Sequence, residues 1–175
     1  RFVCISDVEV PCERIVPDVD WPGWWLKIFM FKPGVINGPT IFMDLDSVCT
    51  GSLDELVEQP YDFAMLENFQ DDSFVGSGVM WFKEKAPEGV YERFIEDPQR
   101  VMDYYSPAKR GTYGGDQAVI HDVLGDASNT VKHPALRSFK VHCRNELPAG
   151  TSLVAFHGRP RPTEVGAKWL LESWV

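Results

Sequence analysis

The chain has 175 residues, of which 44% are hydrophobic and 25% are charged, a composition typical of one globular domain with a substantial apolar core. Its formal net charge is -9, and no run of Lys and Arg is available to neutralise a nucleic-acid backbone or anionic lipid head groups. We therefore expect a single domain over residues 1–175 that binds neither nucleic acid nor a membrane surface. A phosphate-bearing ligand would depend on local positive charge.

We expect a soluble protein with neither a membrane span nor a signal peptide, because no apolar run approaches the roughly 20 residues of a membrane-spanning helix. The four cysteines, Cys4, Cys12, Cys49 and Cys143, lack both C-x-x-C spacing and the density of a disulfide scaffold. This pattern predicts reduced, mostly buried thiols in a cytoplasmic protein, with a Cys4 to Cys12 bridge as the alternative. The sequence does not indicate an oligomeric state.

Strand-like segments recur along the chain and are separated by segments that resemble helices or loops. In chain order, the strand-like segments are residues 2–6, 40–45, 62–66, 77–82 and 151–156. This alternation predicts a mixed α/β sheet flanked by helices.

Helix-like segments fall between these strands. Residues 21–31 combine Trp-Pro-Gly turn chemistry with a helix-like apolar pattern that contains a single cation, Lys27. Residues 52–58 predict a short helix in which Ser52 and Glu55 have the spacing of a capping box. The other predicted helices are residues 88–96 and 115–124.

Two acidic residues follow the strand-like run Ile41-Phe42-Met43. Asp44 and Asp46 are one residue apart, and side chains alternate along a strand, so both carboxylates should point to the same side and reach one cation. The alternative is that two acidic residues simply open a turn after a strand.

The C-terminal part of the chain repeats this arrangement with a histidine. The apolar run 153–156 leads into His157 and then into a loop that carries Arg159 and Arg161. His157 is a third candidate metal ligand, and the two arginines could clamp an anionic ligand. The alternatives are a strand-end histidine bonded to backbone and two solvated arginines.

Three further features have both a structural and a functional interpretation. Lys27 is costly to bury without a partner, so we expect it to reach a carboxylate or the substrate. Asp116 directly precedes a helix-like segment and could cap it or contact a ligand. The tryptophans Trp21, Trp24 and Trp25 are interpreted as core residues in preference to a sugar-stacking platform.

Several short motifs follow one another along most of the chain. They are Trp25-x-Lys27, Asp44-x-Asp46 followed by Ser52-Leu53-Asp54, Ser77-Gly78-Val79-Met80, Gly115-Asp116-Gln117 and His157-Gly158-x-Pro160-x-Pro162. In this order, over about residues 20–165, they resemble the GT-A glycosyltransferases related to glycogenin and the bacterial galactosyltransferases, a family-8-like group.

The resemblance implies a GT-A-like fold and a metal-dependent transfer of sugar from a nucleotide diphosphate, with UDP as the expected nucleotide, to a carbohydrate or other hydroxyl acceptor. It implies that Asp44, Asp46 and His157 bind Mn²⁺, or Mg²⁺, and that this ion bridges the donor diphosphate. The remaining implied residues are Leu45, Ser77, Gly158, Arg159 and Arg161 at the nucleotide sugar, and Lys27, Asp116 and Gln117 at the reacting sugar.

The chain also departs from that family. Gly76 stands where members commonly have Asn, and Arg159 or Arg161 stands where they usually have Lys. The family's first strand, which contacts the nucleotide base, would precede Arg1, so we expect the N-terminal part of the domain to lie outside this sequence.

Two other functions remain open. One is a noncatalytic carbohydrate- or partner-binding module with the same fold. The other is a haloacid-dehalogenase-type phosphatase, in which Asp44 would be the nucleophile and Asp46 the acid and base. For the transferase, no residue stands out as a general base and the related enzymes retain configuration, so we expect retention.

Overall fold

A computed structural model describes residues 1–71, 74–110 and 113–173 of the chain. It has a mixed α/β fold with strands in three sheets, as the alternation of strand-like and helix-like segments predicts. The strands in the described ranges are β1 Val3–Ile5, β2 Glu13–Ile15, β3 Thr40–Met43, β4 Ser47–Cys49, β5 Phe63–Glu67, β6 Val75–Phe82, β7 Thr130–Val131, β8 Leu136–Ser138 and β9 Leu153–Ala155.

The central sheet has the strand order β3-β6-β5-β7. The pairs β3/β6 and β5/β6 are antiparallel, whereas β5/β7 is parallel, so the sheet is mixed. The predicted strands at 40–45, 62–66 and 77–82 are confirmed as β3, β5 and β6.

A second sheet has the order β4-β9-β8. The pair β4/β9 is antiparallel and β8/β9 is parallel, with Ser138 opposite Ala155. Because β3 belongs to the central sheet and β4 to the second, the residues between them, Asp44 to Asp46, carry the chain from one sheet to the other. The strands β1 and β2 form a separate parallel pair.

The longest helical element before the central sheet is a 3-10 helix over Gly23–Phe31. Its buried side chains are Trp25, Ile28, Phe29, Met30 and Phe31. A 3-10 helix has three residues per turn, so Trp24 and Lys27 lie on the same face, one turn apart.

The α-helices partly follow the predictions. The predicted helices at 88–96 and 115–124 are confirmed, with shorter bounds. At 52–58 the helix is only one turn, and the predicted capping box is wrong: Leu53 is the N-cap, and Ser52 accepts a hydrogen bond from the Asp54 amide instead. The α-helices are α1 Asp54–Val57, α2 Val90–Ile95, α3 Pro98–Tyr104, α4 Pro107–Arg110, α5 Asp116–Leu124 and α6 Lys168–Ser173.

Side-chain alternation along the central sheet creates two apolar layers. Phe63 and Met65 of β5 pack with the 3-10 helix, α2 and α5, whereas Ala64 and Leu66 pack toward Leu153 of the second sheet. A third apolar cluster, formed by Val48, Phe139, Cys143, Val154, Phe156 and Leu170, covers the opposite face of the second sheet. The two sheets therefore stack as layers between helices.

The cysteines are free, but they are less buried than predicted. Cys143 is buried, Cys4 and Cys12 are half-buried, and Cys49 is exposed because it ends the short strand β4. None of the helices in the described part of the chain has the length and apolar character needed to span a bilayer.

Gly114 marks a point where two stretches of backbone pass very close together. A Cβ atom there would lie 2.7 Å from the Tyr105 carbonyl oxygen and 2.9 Å from Pro107 backbone atoms. We predict that Gly114→Ala lowers the free energy of unfolding by about 1–3 kcal/mol, because the backbone must move to admit the methyl group. Urea denaturation measures the loss.

The matched control is Gly166→Ala, because a Cβ at Gly166 has no heavy atom within 4 Å. This variant should unfold at the wild-type urea concentration. Equal stabilities of the two variants would contradict the close approach at Gly114.

Candidate active site

The two acidic residues lie in a tight turn between the sheets. The Ser47 amide donates to the Asp44 carbonyl oxygen at 3.0 Å, the Asp44 amide to the Gly78 carbonyl oxygen at 2.9 Å, and the Phe156 amide to the Asp46 carbonyl oxygen at 3.0 Å. The predicted strand alternation through Asp46 is therefore wrong, since β3 ends at Met43. A turn presents the carboxylates, with Leu45 at its tip and 88% exposed.

Lys27 connects this turn to the rest of the site. Its ammonium nitrogen lies 2.8 Å and 2.9 Å from the two carboxylate oxygens of Asp44. It also donates to the Ser77 hydroxyl at 3.2 Å and lies 3.7 Å from a carboxylate oxygen of Asp116. The prediction that Lys27 reaches a carboxylate is confirmed.

The surroundings keep Lys27 charged. Burial lowers the pKa of Lys27, but the carboxylates of Asp116 and Asp44 outweigh that effect and leave it above its ordinary value. Burial raises the pKa of Asp44 to about 6, against the opposing effect of the Lys27 ammonium. At neutral pH both groups are therefore ionised, and the half-buried carboxylate is held by a cation.

Asp116 is the first residue of α5, and Gly115 is the N-cap. The carboxylate is buried, and its oxygen nearest Lys27 has no hydrogen-bond partner among the described residues. The predicted N-cap position is therefore wrong by one residue, although a carboxylate in the first turn is favoured by the helix dipole. Gln117 follows on the same helix and is half-buried.

Ser77 lies on β6 beneath this group and is buried. Its neighbour Gly78 faces Asp44, and a Cβ at Gly78 would lie 3.5 Å from an Asp44 carboxylate oxygen. Strand β6 therefore forms the floor on which the Lys27 and Asp44 side chains meet.

His157 lies at the end of β9, where a hydrogen bond of 2.7 Å joins its Nε2 atom to the Ser138 hydroxyl. Its ring stacks on Phe69 with 6.0 Å between the ring centres. Burial and the Lys140 ammonium lower the pKa of His157, whereas Asp46 raises it. A carboxylate and a cation therefore have opposite effects on the imidazole.

Both arginines of the C-terminal loop already contact carboxylates. Arg161 pairs with Asp46, and Arg159 pairs with Glu164. Glu164 also accepts a hydrogen bond from the Arg161 amide at 2.9 Å. Gly158 and these arginines are thus near the acidic turn, but the guanidinium groups are engaged within the chain.

The candidate metal ligands each have another partner. Lys27 contacts Asp44, Arg161 contacts Asp46, and Ser138 contacts His157. Across residues 1–71, 74–110 and 113–173, no three His, Cys, Asp or Glu side chains stand close enough together to hold a metal ion as they are arranged. The types of ligand nevertheless suit Mn²⁺ or Mg²⁺, which take carboxylate oxygens.

Sequence reasoning missed three residues at this site. Ser138 ends β8 and Lys140 follows it, and this three-residue strand, Leu-Arg-Ser, has no recognisable alternation. Parallel pairing of β8 with β9 brings Ser138 and Ala155 to the same sheet edge. Trp24, assigned to the core, is 50% exposed and lies beside Gly115, whose Cβ would be 3.3 Å from the indole nitrogen.

Two solved structures of the glycosyltransferase GlyE from Streptococcus pneumoniae TIGR4 are similar to this chain. One has a TM-score of 0.55 and 14% sequence identity, and the match covers 85% of this chain and 43% of that one. The other, the apo form, has a TM-score of 0.54 and 15% identity, covering 86% of this chain and 42% of GlyE. The chain has a glycosyltransferase-like fold.

This chain spans less than half the length of these two neighbours. No protein-family model matches the chain, and no curated protein sequence matches it. The similarity therefore lies in the fold and not in the overall sequence.

We predict that Lys27→Met lowers the free energy of unfolding by about 3 kcal/mol, because it leaves Asp44 and Asp116 without their shared cation. The Lys27 side chain is only 14% exposed and that of Asp44 is 30% exposed, so water compensates little. Guanidinium denaturation measures the loss, and Asp44→Asn in the same chain should recover part of it.

Lys85→Met is the control for removing one lysine. Lys85 forms an exposed pair with Glu88, and such surface pairs contribute little to stability. The Lys85 variant should unfold like wild type. A Lys27 variant as stable as the Lys85 variant would show that the buried cation is dispensable.

Proposed function

We propose that this chain is part of a metal-dependent glycosyltransferase that moves a sugar from a nucleoside diphosphate, with UDP as the nucleotide, to an acceptor hydroxyl. The observation that carries the proposal is the group of a partly buried Lys27, a half-buried Asp44 and a buried Asp116 where two sheets meet in a glycosyltransferase-like fold. A lysine that is largely removed from water and paired with carboxylates is typical of sites that bind charged substrates.

Asp44, Asp46 and His157 would hold the divalent cation, Mn²⁺ or Mg²⁺. Such an ion would supply positive charge that stabilises the departing diphosphate. For the carboxylates to accept it, Lys27 must release Asp44 and Arg161 must release Asp46. We propose that these two cations then turn to the substrate, Arg161 to the phosphates and Lys27 to the sugar.

The sugar would lie over β6 and the start of α5. Ser77 and Lys27 offer donors, and the buried Asp116 carboxylate offers an acceptor that has no hydrogen-bond partner among the described residues. Gln117 is the next residue of α5 and lies at the same end of the helix. A buried carboxylate oxygen without a hydrogen-bond donor is costly, and a sugar hydroxyl group would supply that donor.

The nucleotide would lie along the exposed turn and the C-terminal loop. Leu45 is exposed at the turn tip, and Gly158 and Arg159 lie in the loop beside it. We propose retention of configuration, because the departing phosphate itself can then accept the proton of the incoming hydroxyl on the same face of the sugar.

Calorimetric titration of UDP, with Mn²⁺ and again with EDTA, tests the nucleotide and metal assignments. We expect metal-dependent binding by wild type and its loss in Asp46→Asn and His157→Ala, because each variant removes one proposed ligand. Both variants should keep the wild-type circular dichroism spectrum.

Asp62→Asn is the control, since Asp62 is an exposed acidic residue paired with Lys83 far along the central sheet. It should bind UDP normally. Unchanged Mn²⁺-dependent affinity in Asp46→Asn and His157→Ala would overturn the metal assignment.

A second measurement separates transfer from binding. We predict that Asp116→Asn keeps the UDP affinity but slows UDP-sugar hydrolysis or transfer at least about tenfold, because the isosteric amide removes the charge that faces the sugar. The assay is release of UDP over time. UDP binding without any turnover in wild type would favour a noncatalytic module of this fold.

A further inference from the structure

Besides Arg159 and Arg161, another cation, Lys140, lies beside the His157 loop, on a segment to which the sequence assigned no role. Residues Phe139–Cys143 form a single turn of π-helix directly after β8. This turn places the Lys140 ammonium next to Gly158, where a Cβ would lie 3.4 Å from the nitrogen. Because Gly158 has no side chain and has a φ of 74°, the loop can run close to this cation.

The position of Lys140 is fixed by a buried residue that both segments share. The Ser138 hydroxyl accepts a hydrogen bond from the Val141 amide at 3.3 Å and so caps the π-helix turn. The same hydroxyl bonds to His157 at 2.7 Å, and Ser138 is fully buried. The turn that carries Lys140 and the loop that carries His157 are therefore held together by one side chain.

Lys140 differs from the two loop arginines in its partners. Arg159 and Arg161 contact Glu164 and Asp46, whereas the ammonium of Lys140 has no carboxylate partner within the part of the chain that the structure describes. The side chain is half-buried. A cation that is partly removed from water and has no partner gains from an anionic ligand.

The segment Phe156 to Gly158 contacts the acidic turn at one end and Lys140 at the other. The Phe156 amide donates to the Asp46 carbonyl oxygen at 3.0 Å, and a Cβ at Gly158 would lie 3.4 Å from the Lys140 ammonium nitrogen. A ligand over this segment thus has an acidic residue at one end and a cation at the other. A diphosphate that carries a divalent cation at one end matches this distribution.

We propose that Lys140 binds the terminal phosphate of the nucleoside diphosphate. This inference rests on the function proposed above and adds a phosphate contact outside the acidic turn and the arginine loop. In the transfer, the bond between the anomeric carbon and the phosphate oxygen breaks and its electron pair stays on that oxygen. The acceptor oxygen bonds to the anomeric carbon, its proton passes to the departing phosphate, and Lys140 stabilises the charge on that phosphate.

The test compares ligands that differ by one phosphate. UDP, UMP and inorganic pyrophosphate are titrated with Mn²⁺ into wild type, Lys140→Ala and Lys140→Arg. We expect Lys140→Ala to weaken UDP and pyrophosphate binding about tenfold or more and to leave UMP unchanged, since a charge-assisted contact to the terminal phosphate is lost. Lys140→Arg keeps the charge and should retain most of the affinity.

Lys168→Ala is the matched control, because Lys168 lies on the C-terminal helix, is 90% exposed and only approaches Glu172. It should bind every probe like wild type. UDP-sugar turnover should fall in Lys140→Ala and not in Lys168→Ala.

The outcomes separate this inference from the proposed function. If wild type binds pyrophosphate through Lys140 but does not bind UDP, the nucleotide assignment is wrong and the phosphate site remains. If wild type binds UDP and Lys140→Ala binds it equally well, the inference is overturned and the proposed function stands. Equal losses for UMP and UDP would also overturn the terminal-phosphate contact, and binding of no probe by wild type would overturn both.

Discussion

One lysine ammonium held between carboxylates organises this molecule. Lys27 comes from the 3-10 helix, Asp44 from the end of β3, Ser77 from β6 and Asp116 from the start of α5, so four elements meet at one cation. Apolar packing brings these elements together but does not select their relative register. The partly buried charges do select this register, because a carboxylate displaced from the Lys27 ammonium would remain partly buried with no positive charge beside it.

The position of the site follows from how the chain changes sheets. The segment from Asp44 to Asp46 leaves the central sheet and enters the second one, and the end of β9 bonds back to its backbone. The turn that joins the two sheets therefore places the side chains of Asp44 and Asp46 at an edge where strands of both sheets end. Helices and apolar clusters cover the outer faces of the two sheets, so this edge is where a ligand can approach both.

The sequence predicted the elements whose pattern is strong and local. Strands β3, β5 and β6 and helices α2 and α5 were recognisable because apolar runs and turn residues mark them. Lys27 was recognisable because a charge in an apolar segment needs a partner, and Asp44 because it follows an apolar strand-like run and is one residue from Asp46. The capping box at Ser52, the strand alternation that placed Asp44 and Asp46 on one side, and the burial of Trp24 were wrong, because tertiary packing decides them. Ser138 and Lys140 were missed because β8 is three residues long and gains its place only by pairing with β9.

The 3-10 helix has a consequence for how the chain can tolerate changes in length. With three residues per turn, inserting or deleting one residue between Gly23 and Lys27 rotates everything on one side of the change by a third of a turn relative to the other. A change between Trp24 and Lys27 would turn Trp24 away from the face that it shares with Lys27 and from its place beside Gly115, while Lys27 and the buried residues after it kept their places. The loop over residues 32–39 has no such constraint. Natural variants of this domain should therefore differ in length after Phe31 and keep a fixed spacing before it.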